Sequence, residues 1–469
     1  MRGVQETHGL SLSALRALGL GRISPVVKMW CLRALALGLV LCSLCFVWRS
    51  YQGMGLFLNL GTDYALYLAQ SAVMDSGSSS QIYDLSAADG PYRKLLDRYN
   101  TDPSYQAWTA DIIVGPVPYP PIFAWALRPF TWISPPVSFA LWFCLNLCLA
   151  LIIGWRLASH CGLLDKPTTI LLFLGSYPVV LSFYVGQIQI ILAWCITEFY
   201  LAMRGGREFR AGMWLGCLLL KPHYGLLLGL LLLWKRRWSA VLGAGAAGSI
   251  ILGASVLVSG VHGLRAYPAA FSGMAQFRGD DPAVMINWRS VILDLYPSIY
   301  GRNGTLLTLA LAAATLFSLA WVWRGEWNPN AVDFPVKVLL TLLGTLIASF
   351  HSHPYGAVLL AMPLVVVLSS GQFHKTAWWV VGIGAVVPTL ILELGYSGSL
   401  TNSQFYAHLV LASQVLKVVM FAMFGYFYAR VCGLSVVGPD SSRMMRGGWI
   451  RARAFIPGIG RAASRVLNP

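Results

Sequence analysis

Charge is what this chain has least of. Only 11% of its 469 residues are Asp, Glu, Lys or Arg, against about one quarter in an ordinary soluble domain, and acids are the scarcer sign, 18 against 34. A solvated globular surface over most of the length is thereby excluded. Hydrophobic residues make up 57% and recur in runs of about 17 to 25, the length that crosses a ~30 Å hydrocarbon core as a helix. Long alternating stretches of the kind that build a membrane barrel are missing. The expected fold is an all-α polytopic membrane protein with about ten full transmembrane helices plus re-entrant or broken helices. The net charge of +16 does not point to nucleic acid, because the basic residues gather near both ends of the sequence and in short loops between apolar runs, where they orient a membrane protein.

Other absences narrow the chemistry. The nine cysteines sit in or beside apolar runs and none falls in the two longest polar loops, so no external disulfide is expected, and Cys42 and Cys45 read as packing residues rather than a redox pair. No phosphate-binding glycine loop or dinucleotide fingerprint is visible, and no internal repeat of the transporter kind. Trp30 to Trp48 is too long for a signal-peptide core and is expected to stay as the first span.

Three parts follow: a basic cytoplasmic segment 1–29, a membrane domain 30–429 with external loops 49–118 and 260–303, and a basic cytoplasmic tail 430–469. The first loop holds seven aspartates and is placed outside. Ile122 to Ile133 is too short to cross and is interrupted by Arg128 and Pro129, so it reads as re-entrant or interfacial. Two apolar runs turn back on each other at Gly186 and Gln187. Gly212 to Trp234 is flanked by basic residues on both sides and broken at Lys221-Pro222-His223, which favours two half-helices over one crossing; the other reading is a single kinked span.

Under this topology Asp63, Tyr119, Gln187, Lys221, His223, Asn287, Arg289, His351 and His353 all approach the external side. Asp63 opens a short helix whose Ala65, Leu68, Ala69, Ala72 and Val73 recur at helical spacing, so one face is expected on the bilayer surface with the carboxylate at its edge. A carboxylate there suits a base for an acceptor hydroxyl; alternatively Thr62 or Asp63 is a helix cap. Lys221, costly in lipid, suits a phosphate, or else pairs with a carboxylate of a neighbouring helix. Arg289, His351 and His353 are candidate phosphate contacts, the alternatives being a solvated loop and a polar turn; two histidines without Asp, Glu or Cys nearby are not read as a metal site.

The order of several pieces resembles glycosyltransferase family 87: Asp63-Tyr64, Tyr83-Asp84, Tyr119-Pro120-Pro121 followed by Pro129, Leu141-Trp142 to Asn146, Gly186-Gln187, Lys221-Pro222, and the His351 to Pro354 turn. Gln189 stands where family members often have asparagine. The resemblance implies a GT-C-like membrane glycosyltransferase in the inner (plasma) membrane, both termini cytoplasmic, that moves mannose, another hexose or arabinofuranose from a polyprenyl-phosphate donor to a glycolipid or polysaccharide acceptor on the external face. It also implies Asp63 as catalytic base, inversion at the sugar and no cofactor or metal. Lys221, Arg289 and His353 are then the donor-phosphate candidates, with Tyr64, Tyr119, Gln187, His223, Asn287 and His351 lining the cavity. The rival classes are a transporter or flippase of lipid-linked saccharides and a non-catalytic scaffold of an envelope-polymer assembly.

Overall fold

The computed structural model describes residues 25–52, 60–83, 117–162, 164–276, 282–299, 301–370, 375–396 and 402–434. The basic segment before residue 25, the tail after 434, Asp84 and most of the first polar loop lie outside the described residues. What is described is helical, with no β-strand.

Five helices are long and apolar enough to cross a membrane: Met29–Arg49 within α1 (Pro25–Gln52), α5 (Pro135–His160), Trp238–Pro268 within α11 (Trp238–Gln276), α13 (Arg302–Val322), and Tyr406–Gly433 within α17 (Asn402–Leu434). A bent pair, α6 (Lys166–Leu174) and α7 (Tyr177–Val185), makes a sixth if taken together, with a 49° bend between them. The ten full spans expected from apolar runs therefore do not appear as ten long helices among the described residues. Proline is one reason. It stands in the first turn of α3 (Pro121–Ala126), α4 (Arg128–Thr131), α5, α6, α7 and α14 (Phe334–Ala348), where its missing N–H costs nothing but no helix continues through from before. Apolar runs are thus cut into short helices, including α14 and α15 (Ala361–Ser369); α16 (Lys375–Tyr396) comes before α17.

The Lys221 region is broken as the flanking charges require. α9 (Glu208–Gly216) continues as a 3-10 turn to Leu220, the chain changes direction at Lys221, and α10 (Leu226–Trp234) follows. Gly212 lies against Ala240, Gly216 against Ala244 and Ala247, and Leu219 beside Gly248, so α9 climbs parallel to α11, with no room for a side chain at either glycine. Because α11 starts only four residues after α10 ends, α10 must descend. Both basic flanks then sit at one end, where Arg237 pairs with Glu208. Arg156 at the end of α5 and Arg210 meet Glu198 near the end of α8 (Gln189–Arg204), and Arg204 donates to the Pro329 carbonyl at that end.

The helix bearing Asp63 departs from expectation. α2 (Thr62–Asp75) does not lie on a bilayer surface; ten of its fourteen residues are buried. Its sequence is apolar or aromatic almost all round, and such a helix buries every face. It packs on α3, α4 and α7, and its far end is held by Asp75, which accepts from Arg128 Nε at 2.7 Å, Trp132 Nε1 at 2.9 Å and the Thr131 hydroxyl.

Candidate active site

The site lies at the end of the bundle opposite the basic rim, where α5 and α8 begin and the Lys221 break turns. Gly61 precedes α2 in the left-handed region, φ 75°, and its N–H bonds the Tyr184 carbonyl at 2.5 Å, fixing the start of α2 against the end of α7. Gly186, φ 72°, ends α7 so tightly that a Cβ would stand 2.6 Å from that of Tyr64. Trp142 Nε1 holds the Gly186 carbonyl at 2.8 Å, and this turn delivers Gln187 to Asp63.

Neither Thr62 nor Asp63 caps the helix through its side chain. The Asp63 carboxylate instead accepts a hydrogen bond from Gln187 Nε2. Gln187 Nε2 also reaches the Tyr355 hydroxyl at 3.2 Å, while its Oε1 accepts from Tyr67 at 2.6 Å and Tyr119 at 3.2 Å. The Tyr67 and Tyr119 hydroxyls are themselves 3.0 Å apart. Lys221, 4% exposed, holds its ammonium 5.6, 5.6 and 5.3 Å from the ring centres of Tyr119, Tyr224 and Tyr355. It has no hydrogen-bond or ion-pair partner among the described side chains, and the carboxylate whose charge it feels there is that of Asp63. Burial pushes the Asp63 carboxyl above its ordinary range, opposed by the Gln187 hydrogen bond and the nearby charges of Lys221 and His353.

The remaining candidates divide. His353 packs on Tyr355, ring centres 5.3 Å apart, and His351 meets His353 edge to face at 4.7 Å. His223 lies against Tyr224 at 4.1 Å. Arg289 sets its guanidinium over Phe350, 4.4 Å from the ring centre, one residue before His351.

Two candidates are engaged elsewhere. Tyr64 is fully buried against α5, sharing a hydrogen bond with Ser138 at 2.5 Å and stacking on Trp142 at 5.5 Å, because it lies about 100° round the helix from Asp63. Asn287 caps α12 (Trp288–Leu295): its Oδ1 accepts from Ser290 N–H at 3.0 Å and its Nδ2 donates to the Phe350 carbonyl at 3.0 Å, so both ends of the amide are engaged. Tyr67 and Tyr355 were missed. Tyr67 follows Asp63 by four residues, hence shares its helix face, and that spacing was the available signal. No three His, Cys, Asp or Glu side chains come together as a metal site among the described residues.

Residues 118–350 match the model of glycosyltransferase family 87. The chain belongs to that family. This family 87 member is accordingly a membrane glycosyltransferase. The matched stretch contains Tyr119, Gln187 and Lys221, while Asp63 precedes it and His351 and His353 follow it. No curated protein and no solved structure matches the chain.

Proposed function

We propose that this family 87 glycosyltransferase moves a sugar from a polyprenyl-phosphate donor to a hydroxyl of a glycolipid or polysaccharide, at the external face of the inner membrane, with Asp63 as base. The observation that carries this is the meeting of one carboxylate and one ring-caged ammonium at the bundle end opposite the basic rim. Basic flanks favour the cytoplasm, which leaves the site facing out.

Asp63 takes the proton of the acceptor hydroxyl as that oxygen attacks the anomeric carbon. The bond from that carbon to the donor phosphate oxygen breaks, and the polyprenyl phosphate leaves with the electron pair. Attack from the opposite side inverts the configuration. Lys221 stabilises charge gathering on the departing phosphate, an interaction strengthened by exclusion of water from the tyrosine-lined pocket. His353 faces the same region and is positioned to assist. The phosphate is already a competent anionic leaving group, so the scheme calls for no metal.

The test uses purified protein in lipid with polyprenyl-phosphate mannose and decaprenyl-phosphate arabinose as trial donors. Asp63→Asn keeps size and fold, and transfer should fall about 10²- to 10⁴-fold while donor binding persists. Near-normal transfer by Asp63→Asn refutes the mechanism; donor movement across the membrane without transfer, in the unmodified protein, would favour a flippase.

A further inference from the structure

Gln187 is 5% exposed, and its amide is engaged at both ends. Two phenolic hydroxyls, Tyr67 at 2.6 Å and Tyr119 at 3.2 Å, face Oε1. An amide oxygen only accepts and an amide nitrogen only donates, whereas a phenol does either, so the Asp63 carboxylate sets which way the group lies and the two phenols hold it there. The NH₂ must then face Asp63, which as a carboxylate only accepts. Asp63 Oδ2 receives that bond, and Oδ1 carries none among the described residues. Tyr119 and Tyr355 also connect the amide to Lys221, since their hydroxyls bond Gln187 while their rings face the ammonium.

We propose that Gln187 is the positioning residue for the base: its amide, steadied at Oε1 by the Tyr67 and Tyr119 hydroxyls, fixes Oδ2 of Asp63 through its NH₂ and leaves Oδ1 to receive the acceptor proton. The role rests on the reading of Asp63 as base. It assigns the tyrosine pair to the chemistry as well, acting through Gln187 without touching substrate. Among the described residues the titratable groups facing Asp63 are Lys221 from the broken helix, His353 from the segment after α14, and Tyr67 and Tyr119; Tyr355 shares the Gln187 amide, and His223 stands by Lys221 with His351 beside it.

Gln187→Glu is the discriminating variant, because it conserves shape and replaces the donor by a second carboxyl. Two carboxyls in contact share a proton, so the pair titrates at higher pH than Asp63 alone. The acid limb of kcat/KM should move up by about one pH unit or more, with transfer partly recovered in alkali. Donor KM should stay within about threefold, since Lys221 and its rings are unchanged. A second readout needs no substrate: the infrared carboxyl band that is missing from Asp63→Asn should titrate at correspondingly higher pH in Gln187→Glu. Tyr67→Phe removes the shorter of the two hydroxyl bonds that steady the amide, and should lower kcat about three- to tenfold with donor KM little changed.

An unmoved acid limb and an unmoved carboxyl band in folded Gln187→Glu overturn the positioning role. If Gln187→Glu does not fold, Tyr67→Phe with unaltered kcat overturns it instead. Asp63→Asn separates the two claims. Normal transfer by that variant removes the base and this role together, whereas an inactive Asp63→Asn beside a Gln187→Glu of unmodified pH profile removes only the role of Gln187.

Discussion

Two lysines of this protein are equally buried, each 4% exposed, and their surroundings are opposite. Lys417, in α17, bonds the Ser290 hydroxyl at 2.7 Å and pairs with Asp294, so its charge is spent inside the protein. It ties α17 to α12, and Gln414 reinforces the tie by reaching Asp294 and the Ala283 carbonyl, each at 3.2 Å. Lys221 has three aromatic rings and, nearby, a carboxylate already bonded to an amide. Ring faces attract a cation without neutralising it. Burial alone therefore does not distinguish the two charges; the presence or absence of a neutralising partner does.

The largest effects that can break this comparison are on catalysis. Lys221→Met should cost about ten- to hundred-fold in kcat/KM for the donor, the usual loss for one charge-assisted contact, with thermal stability nearly unchanged because no hydrogen bond or ion pair among the described residues is lost. Lys417→Met should do the reverse. It leaves Asp294 without its cation and loses the Ser290 bond, lowering stability by about 1 to 3 kcal/mol while the protein that remains folded keeps its kcat/KM. Thermal unfolding in detergent and donor kinetics, measured on both variants, decide the matter. If Lys221→Met unfolds the protein and Lys417→Met disables donor use, the assignment of the two charges is inverted.

A pH profile sharpens the same contrast. The proposed base must be ionised to work, and the folded structure raises the Asp63 pKa from its ordinary 3.8. The ionised fraction falls as pH drops through that raised value, so the acid limb of kcat/KM should lie above the pH at which an exposed aspartate titrates. Lys221→Met removes one of the positive charges that oppose the rise and should move the limb further up. An acid limb at or below pH 3.8 would mean that Asp63 is not the titrating group.

These contrasts also show where the sequence was readable. Breaks are local events, so the turn at Gly186-Gln187 and the change of direction at Lys221-Pro222 could be seen in glycine, proline and flanking charge. The convergence of Asp63, Tyr119, Gln187, Lys221 and His353 followed from counting crossings, although the number of long helices did not. What failed depended on packing. α2 reads as a membrane-surface helix by its spacing, yet elements distant in sequence cover it on nearly every side. Tyr64 is adjacent to Asp63 in sequence and points to Ser138, whereas Tyr67 is four residues on and points to the site. For Asn287, a polar group near candidate phosphate contacts looked like a ligand; its amide is consumed by the Ser290 N–H and the Phe350 carbonyl.

Asn287→Ala should accordingly act on stability before chemistry. It removes an N-cap and a bond to the strand of chain that leads into His351, so a loss of about 1 to 2 kcal/mol is expected. Because Phe350 precedes the histidine turn, a modest rise in donor KM is expected beside an unchanged acid limb. A shifted acid limb would instead put Asn287 in contact with the base.

The smallest expected effect is at Tyr64, and it tests the register of α2 directly. Tyr64→Phe deletes only the hydroxyl that Ser138 shares, leaving the stack on Trp142 intact. A single neutral hydrogen bond contributes about 0.5 to 1.5 kcal/mol, so unfolding should come slightly earlier and kcat should stay within about twofold of normal. Tyr67→Phe is the same chemical deletion one turn away, and the two variants differ in which contact they remove, that to Ser138 or that to Gln187. If α2 is seated as described, Tyr64→Phe changes stability and Tyr67→Phe changes turnover. Equal turnover losses in both would place both hydroxyls at the site, against the Ser138 bond that turns the Tyr64 hydroxyl to α5, and the seating of α2 would have to be redrawn.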